Sequence, residues 1–101
     1  MIELTAKQKS MLKSLGHKLR PLVTVSKEGV SSAAVANAKS LIAARELIKI
    51  RVPAGSADDR QLTAMQLAEA VGGVCVAVVG RTAIIYKPNE TLPAGKRIDL
   101  R

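Results

Sequence analysis

"VTVSKEGVSS", residues 23–32, changes character halfway along. Leu22-Val23-Thr24-Val25 is short and β-branched, as a strand requires, and Pro21 leads into it. Ser26-Lys27-Glu28-Gly29 breaks that run, and Ser31 is well placed to accept a backbone N–H at a helix start. A strand that hands over to a helix within a few residues is the first half of a β-α-β unit. The turn also carries what phosphate binding asks for: a lysine, a glycine whose backbone can come close, and a helix N-terminus. Ser31 and Ser32 add hydroxyls that can bond either the helix end or a phosphate. Strand-to-helix turns with no ligand share this look, so the tetrapeptide alone leaves both readings open.

The helix announced by Ser31 is predicted to run to about Arg45, with Ala34, Val35, Ala38, Leu41 and Ile42 on its apolar face. "ELIKIRV" then alternates Ile48, Ile50 and Val52 against Leu47, Lys49 and Arg51, predicting a strand with one buried and one partly basic face. Pro53, Gly55 and Ser56 make a loop, and Ser56 or Asp58 caps a third helix. Asp58 and Asp59 suit its dipole, Ala64, Leu67, Ala68 and Val71 form its buried face, and Gly72-Gly73 ends it.

Val74 to Val79 is uninterrupted apolar sequence, which predicts a central strand covered on both sides. Gly80-Arg81 is a two-residue hairpin signal, after which Thr82 to Tyr86 returns and Pro88 stops it. On the N-terminal side, Thr5 with Gln8 forms a capping box for a helix over about 6–15, with Met11, Leu12 and Leu15 as its stripe and Gly16 as its stop. The predicted order is α-β-α-β-α-β-β: one compact α/β domain whose helices pack on a four-stranded mixed sheet, largely parallel. Residues 1–88 make the domain, and 89–101 read as a basic, loosely held tail.

The 101 residues carry 16 Lys and Arg against 8 Asp and Glu, a formal charge of +8. A small domain this basic points to a polyanionic partner. Lys9 and Lys13 share a face of the first helix, Lys7 lies on its opposite flank, and Lys18 and Arg20 extend the charge into the connector. Lys49 and Arg51 add to it if their sheet face is open. Tyr86 is the one aromatic residue, which excludes a base-stacking platform and points to phosphate and shape recognition.

Enzyme chemistry finds no footing. The acidic residues are scattered, and His17 has no carboxylate or cysteine near it in sequence. Cys75 sits within an apolar strand, where an inert thiol is the default, and one cysteine with one histidine makes no metal site. No cofactor, metal or small-molecule substrate is expected. The N-terminus is unlike a signal peptide and the apolar runs are too short for a bilayer, so a cytoplasmic protein, monomeric and away from membranes, is expected.

"LTAKQKSMLKSLGHKLRPLVTVSKEGV", then "ARELIKIRV", then "VVGRTAIIYKP" together resemble the YhbY-type RNA-binding family, the CRM (chloroplast RNA splicing and ribosome maturation) domain. The resemblance spans about Leu4 to Pro88. It implies a fold similar to the C-terminal domain of translation initiation factor three. It also implies RNA as partner, specifically ribosomal RNA of the large-subunit precursor during assembly.

The family's Gly-x-x-Gly loop falls on Ser26-Lys27-Glu28-Gly29, with serine in place of the opening glycine and Glu28 offsetting Lys27. Serine fits there if the backbone lies in the ordinary β region. The expected RNA-binding set is therefore Ser26, Lys27, Glu28, Gly29 and Ser31, with Lys7, Lys9, Lys13, Lys18, Arg20, Lys49 and Arg51. The alternative expectation is a protein-interaction or ribosome-docking module that meets RNA only incidentally.

Overall fold

The structure is a computed structural model that describes residues 2–100. Helix α1 (Ala6–His17) opens with the expected capping box. Gln8 N–H donates to Thr5 Oγ1 at 3.1 Å, and Thr5 N–H donates to Gln8 Oε1 at 2.9 Å. Twelve residues make a marginal helix in isolation, so α1 depends on what it buries. That is Leu12, fully buried, and each such side chain contributes about 1.5–3 kcal/mol. Leu15, expected on the same stripe, is 40% exposed.

Gly16 is not the stop. The helix continues through it, and a Cβ there would lie 2.6 Å from Cδ1 of Ile84. The glycine lets the helix lie close against Ile84 of the sheet.

After β1 (Pro21–Thr24), α2 (Ser32–Arg45) is capped by Ser31, whose hydroxyl accepts the Ala34 N–H at 3.1 Å. Strand β2 (Leu47–Arg51) follows directly. Helix α3 (Ala57–Ala70) is capped by Ser56, with Asp59 completing a capping box. Strands β3 (Val74–Val79) and β4 (Thr82–Tyr86) form the hairpin, with Gly80 at φ 57° as its first turn residue.

The sheet order is β1-β2-β4-β3. It is mixed, but not largely parallel: only β1 and β2 pair in parallel, while β4 lies antiparallel to both β2 and β3. Strands β2 and β3 do run the same way, as a crossover through α3 requires, but β4 fills the gap between them. Consequently β3 is an edge strand rather than a central one. Its apolar run reflects partial cover on both faces, by α3 on one side and α1 on the other.

Two cores result. Ile42, Ile48, Ile50, Leu67 and Ile85 lie between the sheet and α2 with α3. Leu12, Leu47, Ile84 and Tyr86 lie on the opposite face beneath α1. Ile98 and Leu100 pack against this second core, so residues 89–100 are docked rather than loose; Arg101 lies outside the described residues.

The clasp that holds the tail is Glu46, one of the scattered acids, which is fully buried. Its carboxylate accepts N–H groups from Asn89 and Ile98, both at 2.6 Å, and meets Arg97 Nε at 3.3 Å. Its backbone caps α2 in the left-handed region at φ 63°, a position that usually selects glycine.

Candidate nucleic-acid interface

Strand β1 is held to β2 as far as Val25, whose N–H donates to the Arg51 carbonyl at 2.9 Å. The chain then folds into a tight turn closed by Gly29 N–H donating to the Ser26 carbonyl at 3.0 Å. Lys27 and Glu28 form its exposed tip. Gly29 has φ 100°, which favours glycine, and a Cβ there would meet nothing within 4 Å. The glycine is needed for the turn itself and leaves open space beside the backbone.

Ser26 is not among the residues with positive φ, so serine in place of the family's first glycine carries no left-handed strain. Its hydroxyl donates to Glu28 Oε2 at 3.5 Å. No ion pair joins Glu28 to Lys27, which stands exposed at the tip. Just beyond, Ser31 satisfies Ala34, leaving the N–H groups of Ser32 and Ala33 at the positive end of the α2 dipole.

The other expected cations divide into three groups. Lys7, Lys9 and Lys13 are exposed on α1, which rests on Leu47, Ile84 and Tyr86. The loop emerges at the other end of β2, beyond Arg51, four residues or about 13 Å along the strand. Leu47 and Tyr86, part of the core beneath α1, thus stand at the far end of β2 from the loop.

Lys49 is partly buried, and its ammonium lies 3.4 Å from the Leu19 carbonyl and 3.5 Å from that of His17. A cation at that place stabilises the C-terminal end of α1 and is drawn away from an open sheet face. Arg51, paired in register with Thr24 and Thr82, is exposed beside the loop.

Lys18 and Arg20 lie in a groove of about 270 Å³ with Lys49 and Arg45, over Leu19 and Leu22. Arg45 was not among the expected residues, since in sequence it is only the last residue of α2. Arg81 was likewise read only as a turn residue. Its carbonyl accepts the Val52 N–H at 2.8 Å, which places it at the same end of the sheet as the loop. Neither arginine could be found from spacing along the chain, because Arg45 is brought in by the packing of α2 and Arg81 by its backbone bond to Val52.

The described residues hold no group of three His, Cys, Asp or Glu arranged for a metal, and none of their helices is long and apolar enough to cross a membrane. Burial pushes the Cys75 thiol up from its ordinary value, against the thiolate that reactivity needs. What the surface offers is open space beside Gly29 at the loop and exposed cations near it.

The model of the CRS1 / YhbY (CRM) domain matches residues 4–87. The chain belongs to this family. "Probable RNA-binding protein YqeI" of Bacillus subtilis is 33% identical over 97 residues, covering 96% of this chain and 98% of that protein. A Haemophilus influenzae protein named "RNA-binding protein" is 29% identical over 90 residues, covering 89% and 91%. Among solved structures, a hypothetical protein of Staphylococcus aureus superposes with a TM-score of 0.79 at 33% identity, covering 91% of this chain and 94% of that one. The single α/β domain with a four-stranded mixed sheet is the one anticipated from the sequence, but β4 rather than β3 lies inside the sheet.

Proposed function

We propose that the protein is a non-enzymatic RNA-binding protein that holds the RNA backbone at the loop 26–29 and the start of α2. The observation that carries this reading is the loop geometry. Gly29 at φ 100° faces open space, Lys27 is exposed, and free N–H groups stand at the helix end just beyond. The formal charge of +8 supplies the long-range attraction. The names of the Bacillus and Haemophilus relatives support RNA as the polyanion.

The finer reading is ribosomal RNA of the large-subunit precursor, bound by a monomer in the cytoplasm during subunit assembly. Lys18, Arg20 and Arg51 act as a cationic surround, with Lys7, Lys9 and Lys13 as a more distant flank. Filter binding to ribosomal RNA over a salt series tests the first part. Log K should fall with log salt by about 0.7–0.9 per phosphate contacted, and a flat response removes the RNA reading. Sequencing RNA that co-purifies with the protein tests the second, since random cellular RNA would remove the ribosomal assignment.

A further inference from the structure

We infer that the groove at the start of β1 is a second RNA subsite, occupied by the same single strand that the loop holds. This inference rests on the RNA reading above. The groove is bounded by the connector after α1, by β1 and by the last turn of α2, and no carboxylate lines it. Lys18, Arg20 and Arg45 rim it, while Leu22, 42% exposed, and Leu19 form its floor. Guanidinium groups above an apolar floor suit a nucleotide, with phosphate at the rim and ribose or base against the leucines.

The groove and the loop are joined by one strip of surface. Along β1 the side chains alternate: Val23 and Val25 are buried, while Arg20, Leu22, Thr24 and Ser26 are all exposed. Arg51 lies beside Thr24 in the sheet register. From Pro21 to Ser26 is about 17 Å at strand rise, a span that a few nucleotides of an extended single strand can cover. Because β1 is an edge strand, nothing in the sheet covers its outer side. A slot of about 270 Å³ admits one nucleotide and excludes a duplex. The occupant is thus a single strand a few nucleotides long, running from loop to groove.

The test uses the full chain and two RNA probes, a twelve-nucleotide oligouridine and its duplex with oligoadenosine, followed by anisotropy over a salt series. Arg20→Ala with Arg45→Ala should weaken the single strand about tenfold and lower the salt slope by about 1.4, two contacts at 0.7 each. The duplex should lose less than about threefold, because its binding does not enter the groove. Lys39→Ala with Lys87→Ala removes the same charge from exposed positions elsewhere and should change neither slope nor affinity by more than about twofold.

If the arginine pair leaves the single-strand slope unchanged, or the control pair loses as much, the subsite is overturned. An equal loss on the duplex overturns its single-strand character. Wild-type protein without salt-dependent affinity for either probe overturns the RNA reading itself, a result distinct from the other three. Glutamine replacements at Arg20 and Arg45, which keep most of each side chain, serve if the alanine pair lowers the melting temperature.

Discussion

Glu46 accepts the backbone N–H of Ile98 at 2.6 Å across fifty-two residues of chain, so the junction of α2 and β2 holds the C-terminal segment in place. The carboxylate is buried, and its acceptance of Asn89 and Ile98 with Arg97 alongside offsets the desolvation it suffers. Removing it leaves two part-buried N–H groups and one guanidinium without this acceptor. Glu46→Ala should therefore destabilise the fold by about 3 kcal/mol, read from urea unfolding. Amide exchange at Asn89 and Ile98 should accelerate before that of the sheet core. A loss below about 1 kcal/mol would show that the tail is not clasped by this residue.

The same carboxylate predicts the acid limb of stability. Burial works to raise its pKa, but the N–H donors of Asn89 and Ile98, together with Arg97, outweigh that and hold it below its ordinary value of 4.5. A depressed carboxyl contributes stability that is present above the unfolded value and is lost as pH falls through the folded one. Unfolding midpoints should thus fall from about pH 4.5 downward in the wild type, and Glu46→Gln should flatten that limb. Tyr86 sets the opposite sign. Burial and the nearby Glu46 carboxylate raise its phenol, so its contribution is present below 10.0 and is lost as pH rises through the folded value. Tyr86→Phe should remove that alkaline limb.

Gly16 offers a test of packing against propensity. Alanine in a helix interior is better than glycine by about 1 kcal/mol, so propensity alone predicts that Gly16→Ala stabilises α1. The added Cβ would stand 2.6–2.9 Å from three carbons of Ile84, a side chain only 1% exposed with no room to retreat. Overpacking should win, lowering stability by about 1–3 kcal/mol in thermal denaturation. A stabilised variant would mean that α1 can lift from the sheet at little cost.

Much of this fold was legible because short-range signals carried it. Thr5 with Gln8, Ser31, and Gly80-Arg81 each mark an element boundary through chemistry within four residues, and each does so in the structure. The departures all involve partners distant in sequence. Gly16 reads as a stop until Ile84 is placed against it, and Val74 to Val79 reads as central until β4 takes that place. Glu46 is only one of the scattered acids until Ile98 arrives. The loop at 26–29 was visible as a local pattern, whereas Arg45 reaches the groove at the start of β1 only because α2 packs back against the sheet. Lys49 shows the reverse: charge is readable from sequence, but its engagement by the Leu19 carbonyl is not.

The loop makes the last prediction, a series of four substitutions measured on one RNA. Ser26 has no positive φ, so Ser26→Gly should leave affinity within about twofold of wild type. Gly29→Ala meets no steric obstacle but places an L side chain at φ 100°, so it should strain or reshape the turn and weaken binding several-fold while the fold persists. Lys27→Ala should lower affinity and reduce the salt slope by about 0.7, one phosphate contact. Glu28→Gln removes a carboxylate from beside that phosphate and should tighten binding by about twofold to threefold at low salt, an effect that fades as salt screens it. The signs at Lys27 and Glu28 must be opposite. If both substitutions weaken binding, or neither moves it, phosphate is not held at this loop.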